Sequence, residues 1–151
     1  MRLAIAEALK GVDKGQSPFG AVIARGSEVV AVGHNVVWMT TDITAHAEVN
    51  TLRKACQETG GIDLSGCTIY STTEPCPMCF SAIHWAKIDR IVFGTYIADA
   101  ERAGFNELAV SNEDLKRLGE SGVVVEGGFL QDECQAVFDR FLEKGGTERL
   151  Y

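Results

Sequence analysis

The feature that most constrains this chain is a pair of short fragments, Ala45-His46-Ala47-Glu48 and Glu74-Pro75-Cys76-Pro77-Met78-Cys79. Cys76 and Cys79 are spaced so that both side chains can reach one ion from a single helical turn. Pro77 suits the first position of a helix, where its missing N–H costs no hydrogen bond. His46 and Glu48 stand at i and i+2, which point to nearly opposite sides of a regular helix. They can serve one centre only if it lies beyond a helix's open end, where the first turn fans around the axis. A fold that satisfies both fragments must therefore bring two helix N-termini to one point. The partial positive charge there favours thiolate over thiol and hydroxide over water.

Imidazole and two thiolates form a zinc-like ligand set, so one Zn2+ per chain is expected, held by His46, Cys76 and Cys79. Three protein ligands leave the fourth tetrahedral position to water, whose pKa can fall to roughly 7. Glu48, two residues from the ligand histidine, is then the expected general acid–base. The plainer alternative is a structural zinc that pins two helices, its fourth ligand drawn from His34, Cys56, Cys67 or His84. The remaining cysteines, Cys56, Cys67 and Cys134, fall on apolar faces or a strand and read as packing residues.

Hydrophobic periodicity predicts helices over 2–14, 46–59, 77–87, 112–119 and 131–144. Val49, Leu52 and Cys56 form the apolar stripe expected in the second of these. Cys134, Val137, Phe138, Phe141 and Leu142 form that of the last. Strands are expected at 21–24, 29–33, 67–72, 90–95 and 123–125, the first two joined as a hairpin through Arg25-Gly26-Ser27. The segment 96–110 has no clean period and reads as a loop over the site, with room for a helical turn. Past Gly145-Gly146 a short polar tail is expected. A hairpin followed by strand–helix–strand units predicts an α/β fold, a three-layer α/β/α sandwich around a mixed sheet of about five strands. Residues 1–151 read as one domain. Both ligand fragments fall at strand ends and helix starts, where sites in such folds gather.

Lys and Arg total 14 against 21 Asp and Glu, a formal charge of −7. A polyanionic partner calls for a basic face, and no cluster longer than pairs such as Arg53-Lys54 is present. A small-molecule substrate is thus favoured over nucleic acid. No apolar run is long enough to span a bilayer, so no membrane association is expected. Five cysteines without a disulfide pattern, and no signal peptide, make a cytoplasmic setting the default.

H-x-E followed by P-C-x-x-C is the signature of zinc deaminases acting on bases. On it, and on Pro18-Phe19-Gly20-Ala21-Val22-Ile23, Gly33-His34-Asn35 and Thr44, the chain resembles the cytidine deaminase-like superfamily. Trp85-Ala86, Asp99-Ala100, Ala103-Gly104-Phe105 and a final tyrosine resemble its bacterial guanine deaminase branch; residues 111–151 follow that branch less closely, and Ile43 stands where many relatives have proline. The resemblance implies that Asn35 hydrogen-bonds the base, Phe19 and Trp85 line its faces, and the backbone of Ala47 and Glu74 orients the reacting carbon. It further implies that Glu107 contacts a purine and shuttles protons, and that Tyr151 helps close the site, in some members from the partner subunit of a homodimer. Phe19 and Trp85 are equally compatible with core packing, Asn35 with a turn, and Glu107 with a solvated loop.

The expected reaction is hydrolytic deamination of an amidine-like ring carbon, guanine to xanthine with release of ammonia. Glu48 takes a proton from the attacking water, then protonates a ring nitrogen and finally the leaving amine. Other readings remain: a deaminase of cytosine, a nucleoside or another aminated heterocycle; a tRNA adenosine deaminase; or a non-catalytic zinc-binding protein.

Overall fold

The computed structural model describes residues 1–151. Helix α1 (Arg2–Asp13) leads into the hairpin β1 (Gly20–Arg25) and β2 (Glu28–His34), followed by the one-turn helix α2 (Val37–Thr40) and by α3 (Ala47–Thr59). Strand β3 (Cys67–Thr73), helix α4 (Pro77–Trp85) and strand β4 (Arg90–Thr95) form the strand–helix–strand unit that carries the cysteine fragment. Two short helices, α5 (Ile97–Arg102) and α6 (Asn112–Leu118), precede β5 (Val124–Glu126) and α7 (Gln131–Glu143), and a 3₁₀ turn spans Gly146–Arg149.

The five strands make one mixed sheet in the order β2-β1-β3-β4-β5. β1 is antiparallel to β2 and β3, whereas β3, β4 and β5 run parallel. Helices α3 and α4 cover one face, α1 and α7 the other, which is the expected three-layer sandwich. Side-chain alternation explains the two cores. Ile23, Ile69 and Ile91 point toward α3 and α4 and meet Leu52 and Ile83. On the opposite side Val12, Phe105, Val137, Phe138 and Phe141 pack together. Burying each such side chain fully stabilises the fold by about 1.5–3 kcal/mol. Two glycines set the spacing of the second layer. A Cβ on Gly20 would lie 2.2 Å from the Ala4 carbonyl oxygen of α1, and one on Gly94 would lie 2.2 Å from Cys134 Sγ of α7.

The register places the site. Gly20 pairs with His34, and Ala21 with Ser71, so the start of β1, the end of β2 and the end of β3 share one edge of the sheet. Thr73 pairs with Thr95, which adds the end of β4. Phe19, Asn35, Glu74 and Tyr96 are therefore neighbours at the rim, although they span most of the sequence.

Several expectations change. The buried residues of α3 are Ala47, Glu48, Thr51, Leu52 and Ala55, while Val49 and Cys56 are only half-buried. The stripe is rotated because two polar residues, Glu48 and Thr51, belong to it, and an apolar count cannot see them. Leu142 lies on the outer side of α7. Residues 97–102 of the expected loop are helical, with the Tyr96 N–H donating to Asp99 Oδ2 at 2.7 Å. The short α2 and the 3₁₀ turn had no signal in the periodicity; both are held by tertiary contacts, Trp38 Nε1 donating to the Arg149 carbonyl at 3.1 Å. No helix is long and apolar enough to cross a membrane.

Candidate active site

His46 is the residue that caps α3 and Cys76 the residue that caps α4, and neither helix has a side chain on its first N–H groups. Pro77 occupies the opening position of α4. Both helices thus aim their N-terminal ends at one point, as the spacing of the two fragments requires.

At that point His46 Nδ1 lies 3.6 Å from Cys76 Sγ and 3.6 Å from Cys79 Sγ. The three ligand atoms all lie within 4.8 Å of one another. A tetrahedral zinc with bonds of about 2.0 Å to nitrogen and 2.3 Å to sulfur separates those ligands by about 3.5 Å. The donor set and its spacing therefore fit the ion. Charge chemistry agrees. The hydrogen bond from Cys79, with help from His46, brings the Cys76 thiol down to about 4, and the same bond together with burial pushes Cys79 up. Burial alone would lower His46, but its contact with Cys76 and the nearby Glu48 charge outweigh it and raise the imidazole.

Glu48 projects from the first turn of α3 into the same centre and is buried. Its Oε1 accepts a hydrogen bond from Ser71 at 2.7 Å, and its Oε2 one from the Cys79 thiol at 3.4 Å. Burial raises its pKa, partly offset by the charge of His46, which suits a carboxyl that must both take and give a proton. Ser71 was not among the expected residues. Its signal is a polar side chain on the face of β3 that otherwise shows Cys67 and Ile69 to the core.

Around this centre a cavity of about 320 Å³ is lined by Ile43, Pro77, Met78, Asn106, Glu107, Leu108 and Tyr151 as well as the two ligands His46 and Cys76. A small recess behind it adds Phe19, Glu48, Thr73 and Glu74. Glu107 thus reaches the site, and burial, aided by the charge on Cys76, raises its carboxyl to about 7. No Lys or Arg lines either space.

The remaining expected residues divide. Phe19 stands in the recess, edge-on to Phe105 at 4.9 Å. Asn35 is wholly buried at the sheet rim; its Oδ1 accepts from the Val37 N–H at 3.1 Å and its Nδ2 donates to the Tyr151 hydroxyl at 2.6 Å. Tyr151 reaches the site within its own chain, its carbonyl accepting from the Asn106 N–H at 3.0 Å, and burial pushes its phenol up to about 12. Ala47 opens α3, wholly buried. The Glu74 N–H is committed to the Thr95 carbonyl at 2.8 Å, so only the carbonyl of its peptide groups remains for a ligand. Trp85 lies outside both spaces in this chain. It ends α4, 77% exposed, and lines a separate groove with Phe80, His84, Leu115 and Leu118, one helix-length from the cysteines that begin α4. Its position past Ile83 in a helix that starts at Pro77 carries it away from the N-terminal end where the ligands converge.

Residues 1–95 match the family described as the cytidine and deoxycytidylate deaminase zinc-binding region. The guanine deaminase of Bacillus subtilis is 40% identical over 114 residues, which is 75% of this chain and 73% of that protein. The tRNA-specific adenosine deaminase of the same organism is 33% identical over 144 residues, 95% of this chain and 87% of that protein. The structure of the guanine deaminase from Nitrosomonas europaea superposes with a TM-score of 0.84 at 26% identity, over 91% of this chain and 80% of that one. With its ligand set, buried carboxylate and fold all in agreement, the chain belongs to the zinc-dependent deaminases of the cytidine and deoxycytidylate deaminase family.

Proposed function

We propose that this deaminase acts on a small, unphosphorylated aminated ring, with guanine foremost, converting it to xanthine and ammonia. One observation carries this reading: the pocket beside the metal ligands is lined by the carboxyl of Glu107 and by no Lys or Arg. A phosphate brought there would meet carboxylates with no Lys or Arg to pair with it, which disfavours nucleotides and the backbone of folded RNA. The formal charge of −7 points the same way. Glu107, protonated or ionised near neutrality, can hydrogen-bond the N–H or ring nitrogen of a purine. Ile43, Pro77, Met78 and Leu108 offer apolar surface to its faces and edges.

Zinc held by His46, Cys76 and Cys79 supplies a Lewis acid that makes water nucleophilic near neutral pH. The chain's own residues do the rest. Glu48 accepts one proton from the water as its oxygen adds to the carbon that bears the amino group, and passes that proton to the ring nitrogen. It then takes the proton of the added hydroxyl and gives it to the amine, so that the carbonyl forms as the C–N bond breaks and ammonia leaves. Ser71 holds Glu48 Oε1 toward the centre. Phe19 lines the recess that receives the ring, Tyr151 closes it, and the buried Asn35 holds the Tyr151 hydroxyl in place. A homodimer is the proposed assembly.

A screen for ammonia release over guanine, adenine, cytosine, their nucleosides and a tRNA substrate tests the reading. Guanine is expected to turn over fastest, and failure of every free base would overturn it. The likeness to a tRNA-specific adenosine deaminase across 95% of the chain favours a second reading. Inosine formation in tRNA, with binding that weakens steeply as salt rises, would establish that reading instead.

A further inference from the structure

The loop that delivers Cys76 to the metal site is the tripeptide Glu74-Pro75-Cys76 between β3 and α4. Pro75 and Pro77 restrict the backbone on either side of Cys76, but Pro75 has no N–H to anchor the loop to its surroundings. The structure supplies the missing anchor from a residue 36 positions later. Asn112, the first residue of α6, is 0% exposed. Its Nδ2 donates to the Pro75 carbonyl at 2.6 Å, and its N–H donates to Glu74 Oε1 at 2.8 Å. The other oxygen of Glu74 accepts from the Ile97 N–H at 3.4 Å, and the Glu74 N–H donates to the Thr95 carbonyl at 2.8 Å.

The amide orientation is settled by chemistry. The Pro75 carbonyl is an acceptor, so the Asn112 atom facing it must be the N–H₂ group. The consequence is that Asn112 Oδ1 is buried without a partner. An unpaired buried amide oxygen costs about 1–3 kcal/mol. An apolar side chain would avoid that cost, and the one bond that Asn112 alone provides is the one to Pro75. The same residue also ties Glu74 to α6, and Glu74 in turn ties α5 to the metal loop. The segment 103–111, which carries Glu107, runs between those two helices.

We infer that Asn112 is a positioning residue for the metal site: with Glu74 it clamps the Glu74-Pro75-Cys76 loop, setting the Cys76 thiolate and the base of the Glu107 segment in one frame. The clamp acts on the ligand set and is independent of which ring the enzyme deaminates. Groups that orient a metal ligand from outside the coordination shell are worth about 10–100-fold in metal affinity or activity.

The test uses the whole protein loaded with zinc, and separately with cobalt, whose visible absorption reports ligand geometry. Asn112→Ala removes the donor while keeping a good helix former at the start of α6. Zinc affinity from chelator competition is expected to drop about tenfold or more, and the cobalt–thiolate bands to shift or broaden. Asn112→Asp keeps the shape and sets a carboxylate oxygen in place of the donor, so it is read the same way if the alanine variant does not fold. Ile91→Val, a core truncation away from the loop, serves as the comparison for general loss of stability and should leave the cobalt spectrum as in the parent. Parent-like zinc affinity and cobalt bands in a folded Asn112→Ala or Asn112→Asp protein would overturn the inference, whatever the substrate screen shows. An Ile91→Val protein that reproduced the same changes would overturn it too.

Discussion

At the scale of single residues, chemistry is decided by what surrounds each side chain. Glu48 is a surface-type residue placed in the interior, at the lining of the recess, beside a thiol donor and a hydroxyl donor. Its replacement by glutamine keeps the shape and can still accept from Ser71, yet cannot carry a proton. Glu48→Gln should retain one zinc per chain while kcat falls about 10²–10⁴-fold; metal analysis alongside steady-state kinetics checks this, and a variant within tenfold of the parent would remove Glu48 from the proton path. The motif residues were legible in the sequence because their spacing is set by coordination geometry. Ser71 and Asn112 were not, since a strand serine and a helix-start asparagine are ordinary until a tertiary partner is known.

At the scale of elements, close approach controls the site. Helix α1 sits directly on the start of β1, next to Phe19, and Gly20 makes that contact possible. Gly20→Ala would put a methyl group 2.2 Å from the Ala4 carbonyl oxygen and 2.6 Å from the Ala8 nitrogen, both backbone atoms that cannot rotate away. Overpacking of this kind costs about 1–3 kcal/mol, which for a chain of this length lowers Tm by roughly 2–4 °C per kcal/mol. Thermal unfolding of the variant measures it, and an unchanged Tm would show that the helix is free to shift. The periodicity located the long helices well. It mis-set the buried stripe of α3, because the functional face there is polar, and it missed α2 and the 3₁₀ turn, whose few residues are stabilised by contacts from Trp38 and Arg149 and not by their own pattern.

At the scale of the whole molecule, charge and ionisation link the layers. Glu7 on α1 accepts from His34 at the end of β2 at 3.0 Å, and also from Lys10. Burial pushes the Glu7 carboxyl up, but these partners prevail and hold it below its ordinary value of 4.5. A carboxyl lowered on folding contributes stability that is present above its unfolded value and is lost as pH falls through the folded one. The stability difference between the parent and Glu7→Gln should therefore be about 1 kcal/mol at pH 6 and shrink toward zero near pH 3. Urea unfolding across that range checks the sign; a difference that grew on acidification would be the wrong one.

By itself the sequence determined the ligand set, the mixed α/β sandwich and the deaminase family, and it pointed to Glu48 as the proposed proton carrier. The ligand set and the fold follow from local spacing, i to i+3 for the thiolates, i to i+2 across a helix end, and the two hydrophobic periods; the deaminase chemistry follows from the resemblance those fragments carry. Tertiary structure alone decided which distant residues complete the site. It drew Glu107 and Tyr151 into the pocket, sent Trp85 to the far end of α4, and tied the metal loop to Asn112. The physical reason is that these placements depend on strand register and on burial in a shared interior, which are properties of the packed chain and leave no periodic mark along it.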